Sequence, residues 1–256
     1  MLLSTLLLLC FFAFLAGFID AMVGGGGLVQ VPAALVLLPH LPATQVLGTL
    51  KISAFSGTTM AAFQYVRRIQ IQLAVLLPIA ITASLAAFMG SYLAAQVSNT
   101  TLKPIMLVVF TAMAVYVYTN KGFGSKQEAT PAKKNGLLLS IVTGTVIGLY
   151  DGFVGPGTGS FLILLFVTVM GYHFLQANTY TKLVNAGTNF GSIVFFASHG
   201  YIHWNIALPM AVANIAGNYA GVQMAFLKGN SFVRKLFLCI IVGTIVRFGW
   251  DVFKLL

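Results

Sequence analysis

Four ionisable side chains draw attention by their surroundings. Asp20, Lys51, Asp151 and Lys182 each lie inside a long apolar run. An ionised group at the centre of an apolar helix costs about 2.5–3.5 kcal/mol on insertion scales, so four unpaired ones cost on the order of 12 kcal/mol. They must pair or face a wet cavity. In one arrangement Asp20 pairs with Lys51 and Asp151 with Lys182, each pair pinning neighbouring helices together. In the other, the lysines supply positive potential at a ligand site, while the carboxylates orient them or carry protons. The two arrangements are compatible.

Both aspartates fall near the C-terminal end of an apolar helix, where the dipole disfavours a carboxylate without a cation or proton. Just beyond each lies a break, Gly24-Gly25-Gly26-Gly27 and Gly155-Pro156-Gly157-Thr158-Gly159-Ser160. Each break opens a new helix whose first N–H groups have no partner within that helix and so form an anion cradle. Gly26, Gly27, Gly157, Thr158, Gly159 and Ser160 are therefore candidate ligand contacts, although glycine also serves the turn itself. Neither stretch fits the GxGxxG dinucleotide fingerprint.

Amides cluster around Lys182. Asn178, Asn185 and Asn189 lie at −4, +3 and +7 from it, on one helical face, and Asn214 and Asn218 stand four apart on the next helix. Such side chains also join membrane helices to one another. Of this set, Asn185 and Asn189 are the candidate ligand contacts. His199 and His203, four apart across Gly200, lack the HExxH spacing of a zinc site, and His40 and His173 carry no assigned role. Cys10 and Cys239 form no CxxC, and Arg247 and Asp251 read as a mutual pair four apart. No metal or cofactor is implied.

The elements that must position these groups come as two copies. An offset of 131 residues matches Gly17 with Gly148, Asp20 with Asp151, Gly24 with Gly155, Lys51 with Lys182, Pro78 with Pro209 and Gly90 with Gly221. Asp and Lys are scarce inside apolar chains, so their recurrence in register indicates duplication. The organisation is a first transmembrane repeat over 1–119, a polar linker over 120–135 and a second repeat over 136–256. Five helical segments are expected in each, near 2–23, 27–38, 44–65, 72–95 and 102–119, then 136–154, 158–171, 176–198, 204–227 and 232–255. The second segment of each repeat, at roughly 18 Å, is too short to cross a ~30 Å hydrocarbon core. Segments one and two are therefore expected to form a re-entrant-like hairpin. Three crossings follow, an odd number, which inverts the second repeat relative to the first.

Charge placement agrees with that parity. It collects Arg67, Arg68, Lys121, Lys126, Lys133, Lys134, Lys228, Arg234 and Lys235 on one side, which is the cytoplasmic side by the positive-inside rule. The linker is then cytoplasmic and both termini lie outside. The chain is 59% hydrophobic and only 7% charged, whereas a soluble domain carries roughly 25% charged residues. The fold class is an all-α polytopic membrane protein of two inverted repeats, a transporter architecture with its site at the repeat interface. Unalternating apolar runs exclude a β-barrel. The net charge of +10 sits in loops without interleaved aromatics, so no nucleic acid is expected as partner. The N-terminal run lacks the basic start of a cleaved signal and reads as a retained first helix.

The motifs GFIDAMVGGGGLVQVP and GLYDGFVGPGTGSF, each followed by a lysine-bearing helix, resemble the sulfite exporter TauE/SafE family, and its YfcA-like branch in particular. The resemblance spans nearly the whole chain. It implies a plasma-membrane permease for sulfur-containing anions such as sulfite, sulfoacetate or thiosulfate. Thiosulfate-uptake members are described as passing substrate between membrane cysteines, and no cysteine stands beside these breaks.

The residues themselves imply transport of a small anion held between the two glycine breaks in the lipid bilayer. Lys51 and Lys182 would offer charge there, and Asn185 and Asn189 hydrogen bonds. Asp20 and Asp151 would hold the lysines or couple transport to protons. On this reading Lys182→Ala abolishes transport without preventing insertion. A passive anion channel is the alternative; an intramembrane enzyme fits worse, for want of a nucleophile with its base. Direction, coupling ion and the choice between monomer and homodimer stay open.

Overall fold

In the computed structural model, the described residues are 3–119 and 137–227, with Val246, Trp250 and Phe253. They form helices α1 (Leu3–Val23), α2 (Gly27–Leu37), α3 (Ala43–Val66), α4 (Leu73–Gln96), α5 (Asn99–Thr119), α6 (Leu137–Phe153), α7 (Thr158–Thr168), α8 (Phe174–Ser198) and α9 (Trp204–Leu227). Every segment expected within this range appears, with ends shifted by at most three residues. The linker, the tenth segment and the Arg247–Asp251 pair lie outside the described residues.

Polarity is turned inside out. Leu73, Leu77, Ile81 and Leu85 of α4, and Leu208 and Val212 of α9, are exposed, whereas Gln30, Ser53, Asn178, Thr188, Ser192 and Asn218 are buried. An exterior of continuous apolar surface is what lipid solvates and water does not. α1 and α4 are long and apolar enough to cross a membrane on composition alone. α3, α8 and α9, of 24, 25 and 24 residues, reach roughly 36 Å each but carry the buried polar groups on their inner faces. α2 and α7, at 11 residues, reach only about 16 Å.

Packing is reciprocal under the 131-residue offset. α1 packs on α9 as α6 packs on α4; α3 packs on α9 as α8 packs on α4; α3 and α8 meet each other. The packing units therefore cross the two chain halves. One gathers α1, α2, α3 and α9, the other α4, α6, α7 and α8, and each takes a helix from the opposite half. Between them runs a seam formed mainly by α3 against α8.

Along that seam the matched helices run antiparallel. Near the start of α3, Gly48 faces Phe196 near the end of α8. At the same end, the His203 N–H donates to Thr49 Oγ1 at 3.0 Å, and the His203 ring bonds Gln45 Oε1 at 2.8 Å. At the opposite end of the body, Asn178 of α8 donates to the Tyr65 hydroxyl at 2.9 Å, and the Gln72 N–H donates to the Tyr180 hydroxyl at 2.6 Å.

Glycines let the outer pairs touch backbone to backbone, as small residues do between membrane helices. A methyl on Gly221 would run into the Phe18 carbonyl oxygen, and one on the matched Gly90 into the Leu149 carbonyl oxygen. Backbone there cannot yield cheaply, and overpacking costs about 1–3 kcal/mol. Gly90→Ala and Gly221→Ala should each lower the thermal midpoint in detergent by several degrees. Gly187→Ala, whose methyl would meet its nearest atom at 3.2 Å, should lower it less. Equal midpoints for all three would contradict this packing.

Candidate functional site

Both breaks are built by backbone geometry that only glycine adopts freely. Gly24 and Gly155, matched by the repeat, have φ of 71° and 86°, which ends α1 and α6. The second left-handed residue differs, at Gly25 (87°) in one break and Gly157 (90°) in the other. Pro156 occupies the position matching Gly25 and cannot take a positive φ, so the turn shifts past it. The breaks meet at the seam. A methyl on Gly24 would lie 2.5 Å from the Gly159 carbonyl carbon, one on Gly27 would lie 3.1 Å from Pro156 Cα, and Ser160 Oγ donates to the Val23 carbonyl at 3.4 Å.

The ion pairs are crossed. Lys51 Nζ donates to Asp151 Oδ2 at 2.7 Å and to the Asp151 carbonyl at 2.9 Å. Lys182 Nζ donates to Asp20 Oδ2 at 2.8 Å and also to the Asp20 carbonyl. This corrects the pairing of Asp20 with Lys51 and of Asp151 with Lys182 expected within each half. The antiparallel seam carries the lysine of α3 to the end of α6, and that of α8 to the end of α1. Each ammonium thereby meets both a carboxylate and a last-turn carbonyl, where the helix dipole favours a cation.

The second oxygen of each carboxylate reaches across its own break. Asp20 Oδ1 accepts the Gly26 N–H at 3.4 Å, and Asp151 Oδ1 accepts the Thr158 hydroxyl at 2.7 Å. One aspartate thus holds the end of one helix, the start of the next and a lysine from across the seam.

A cavity of about 70 Å³ lies at this junction, and a single water needs only about 10–15 Å³ of such space. Asp20, Asp151, Lys51, Gly26, Gly27, Asn185 and Asn189 line it, as do Gln30, Thr58 and Asn214. The other expected contacts stand back from it. Lys182 is fully buried behind Asp20, Thr158 is spent on Asp151, Gly157 is the left-handed hinge, and Gly159 and Ser160 pack against the first break. The cavity is therefore lined by the start of α2 and not by that of α7.

Donors in the cavity outnumber their protein partners. Lys51 uses two of its three N–H groups on Asp151. The Asn189 amide, 3% exposed, makes no hydrogen bond among the described residues, and the recorded bond of Asn185 is to its Oδ1, from the Thr188 hydroxyl at 3.3 Å. Gln30 was not singled out from sequence, though it interrupts the apolar run GLVQVPAALVL four residues after Gly26. It donates to Ser53 Oγ at 2.9 Å and accepts from Asn214 at 3.4 Å. Asn178 acts as helix glue, donating to the Ala21 carbonyl at 2.9 Å.

The features so far describe a helical membrane protein with an ion-paired cavity between broken helices. The family model for the sulfite exporter TauE/SafE matches residues 9–248, and the chain belongs to that family. A Sinorhizobium relative named "Probable membrane transporter protein ORF9" is 34% identical over 235 residues, covering 92% of this chain and 88% of that protein. The Escherichia coli K12 "Probable membrane transporter protein YfcA" is 31% identical over 233 residues, covering 91% and 85%. A Haemophilus influenzae probable membrane transporter protein is 30% identical over 223 residues, covering 87% and 86%. No solved structure matches the chain. The protein is a membrane transporter of this family.

The crossed pairing is open to a double-mutant test. Breaking a buried pair leaves one charge unpaired and costs about 3–5 kcal/mol, while removing both partners can be close to neutral. Lys51→Met and Asp151→Asn should each lower the thermal midpoint in detergent sharply, and the double variant should recover most of the loss. Combining Lys51→Met with Asp20→Asn should instead add the two losses. Recovery in that second combination would restore the within-half pairing.

Proposed function

We propose that the protein carries a small anion through the plasma membrane, binding it at the cavity between the two glycine breaks. The reading rests on one observation: a cavity on which Lys51 keeps one N–H beyond its two bonds to Asp151, and on which the Asn189 amide makes no hydrogen bond among the described residues. Gly26 and Gly27 bring the N-terminal end of α2, whose dipole favours negative charge, although the Gly26 N–H is already given to Asp20 and those of Leu28, Val29 and Gln30 to the Gly25 and Gly26 carbonyls. Asn185 supplies a further amide. The chemistry of the lining supports an anion, and the family's description supports a sulfur oxyanion or organosulfonate as its class.

Lys51 is the lysine that contacts substrate on this reading, and Lys182 holds Asp20 in place. Asp20 and Asp151 keep the ammonium groups oriented and are the groups through which protons would couple. The antiparallel run of α3 against α8 supports inverted repeats across the bilayer, with the Arg67–Arg68 loop and the linker in the cytoplasm and both termini outside.

Purified protein in liposomes tests this. Asn189→Leu should cut the initial rate of labelled sulfite uptake at least tenfold and leave the thermal midpoint within a few degrees. Unchanged uptake in Asn189→Leu would remove the cavity from the transport path. An imposed pH gradient should change the initial rate if protons are coupled; a rate indifferent to it would favour the passive channel.

A further inference from the structure

We infer that the ligand at this cavity is a singly charged oxyanion that still carries a hydrogen-bond donor of its own. The inference rests on the transport reading above and narrows its substrate class.

The two ion pairs face the cavity unequally: Lys51 and Asp151 both line it, whereas of the second pair only Asp20 does. On the seam's first pair the ammonium is the more open group, with the Lys51 side chain 9% exposed and that of Asp151 5%. On the second pair it is the carboxylate, with the Asp20 side chain 12% exposed and that of Lys182 at 0%. A ligand therefore meets Lys51 with its partner Asp151 beside it, and the carboxylate of Asp20 without its ammonium.

Asp20 has capacity to spare. A carboxylate offers about four acceptor positions. Asp20 fills one well, with Lys182 at 2.8 Å, and two loosely, with the Gly26 N–H at 3.4 Å and the Thr58 hydroxyl at 3.5 Å. Opposed to it are the third N–H of Lys51 and the Asn189 amide, which is buried and unpartnered among the described residues. The cavity thus asks for several acceptors and, at Asp20, for a donor. An oxyanion stripped of protons supplies the acceptors but sets lone pairs and like charge against Asp20, a mismatch that costs affinity at any buried polar group. A dianion compounds the repulsion. An O–H or N–H on the ligand instead donates to Asp20 while the remaining oxygens accept from Lys51 and Asn189. Hydrogen sulfite has that form; sulfate near neutral pH does not.

Sulfamate and methanesulfonate separate this requirement from charge and size. Both are monoanions of nearly the same shape, with an NH₂ on one where the other has a CH₃. Titration calorimetry on the purified wild-type protein at one fixed pH should show sulfamate binding at least tenfold tighter, as sites built around a ligand N–H or O–H discriminate. Sulfate should bind more weakly than either. Equal affinity for the two monoanions overturns the donor requirement but leaves the anion site standing, and no binding of either overturns both. Preferential sulfamate binding without any sulfite uptake would sink the transport reading alone. In Asp20→Asn/Lys182→Met, which removes both charges of the sealed pair, the preference should collapse towards unity. A preference that persists in that variant, once it is shown to fold, would take the acceptor role away from Asp20.

Discussion

An ammonium group placed at the end of a broken helix in the opposite packing unit is the interaction on which the rest of this structure hangs. A helix that stops inside an apolar body leaves carbonyl oxygens without partners, and lipid offers none. At both breaks the same lysine nitrogen accepts this duty together with neutralising the adjacent carboxylate. The carboxylate, held in turn, reaches the start of the following helix. Remove the lysine and a buried charge is stranded and the break loses its brace; at the second break the Asp151 carbonyl loses the lysine as donor as well, while the Asp20 carbonyl keeps the Gly24 N–H. The large cost of stranding one buried charge explains why the arrangement must close on itself from both sides of the seam.

The two junctions are alike in plan but not in exposure. The Lys182–Asp20 pair is sealed at its lysine, while the Lys51–Asp151 pair opens at its lysine into the cavity. Thr158 stands at the first position of α7 and caps Asp151 with its hydroxyl, whereas the matched Gly27 has no side chain and leaves the start of α2 open. The asparagines complete the asymmetry. Asn185 and Asn189 reach the cavity from α8, where α3 has Ala54 and Thr58 at the matched positions. A strictly symmetric pair of breaks would line the cavity equally; here α2 and the amides of α8 line it and the start of α7 does not.

Much of this was legible in the residues. The offset that matched Asp20 with Asp151 and Lys51 with Lys182 located the breaks, the short hairpin helices and nearly every helix boundary, because glycine, proline and charge are rare enough in apolar chains to carry register. The partners of the lysines were not legible, since sequence proximity favours pairing within a half and only the antiparallel contact of α3 with α8 reverses it. Nor was the unequal exposure of the two pairs, which depends on tertiary packing around each lysine. Gln30 could have been found by asking why an amide sits in an eleven-residue helix of otherwise apolar side chains.

The crossing of chain halves also constrains how the cavity could open. α1 is locked to α9, and α6 to α4, by glycine contacts at backbone distance, so the halves of the chain cannot part as rigid bodies. The division that does exist follows the seam between the α1–α2–α3–α9 unit and the α4–α6–α7–α8 unit, and both ion pairs span it. Sliding one unit past the other would keep the apolar exteriors in lipid and move α3 along α8. It would also have to carry each ammonium with its carboxylate or pull them apart. A ligand that brings acceptors to Lys51 and a donor to Asp20 replaces part of what those groups would lose in such a shift. Its binding energy then bears directly on the contacts that hold the seam closed, since only a difference in interaction between two states can drive one into the other.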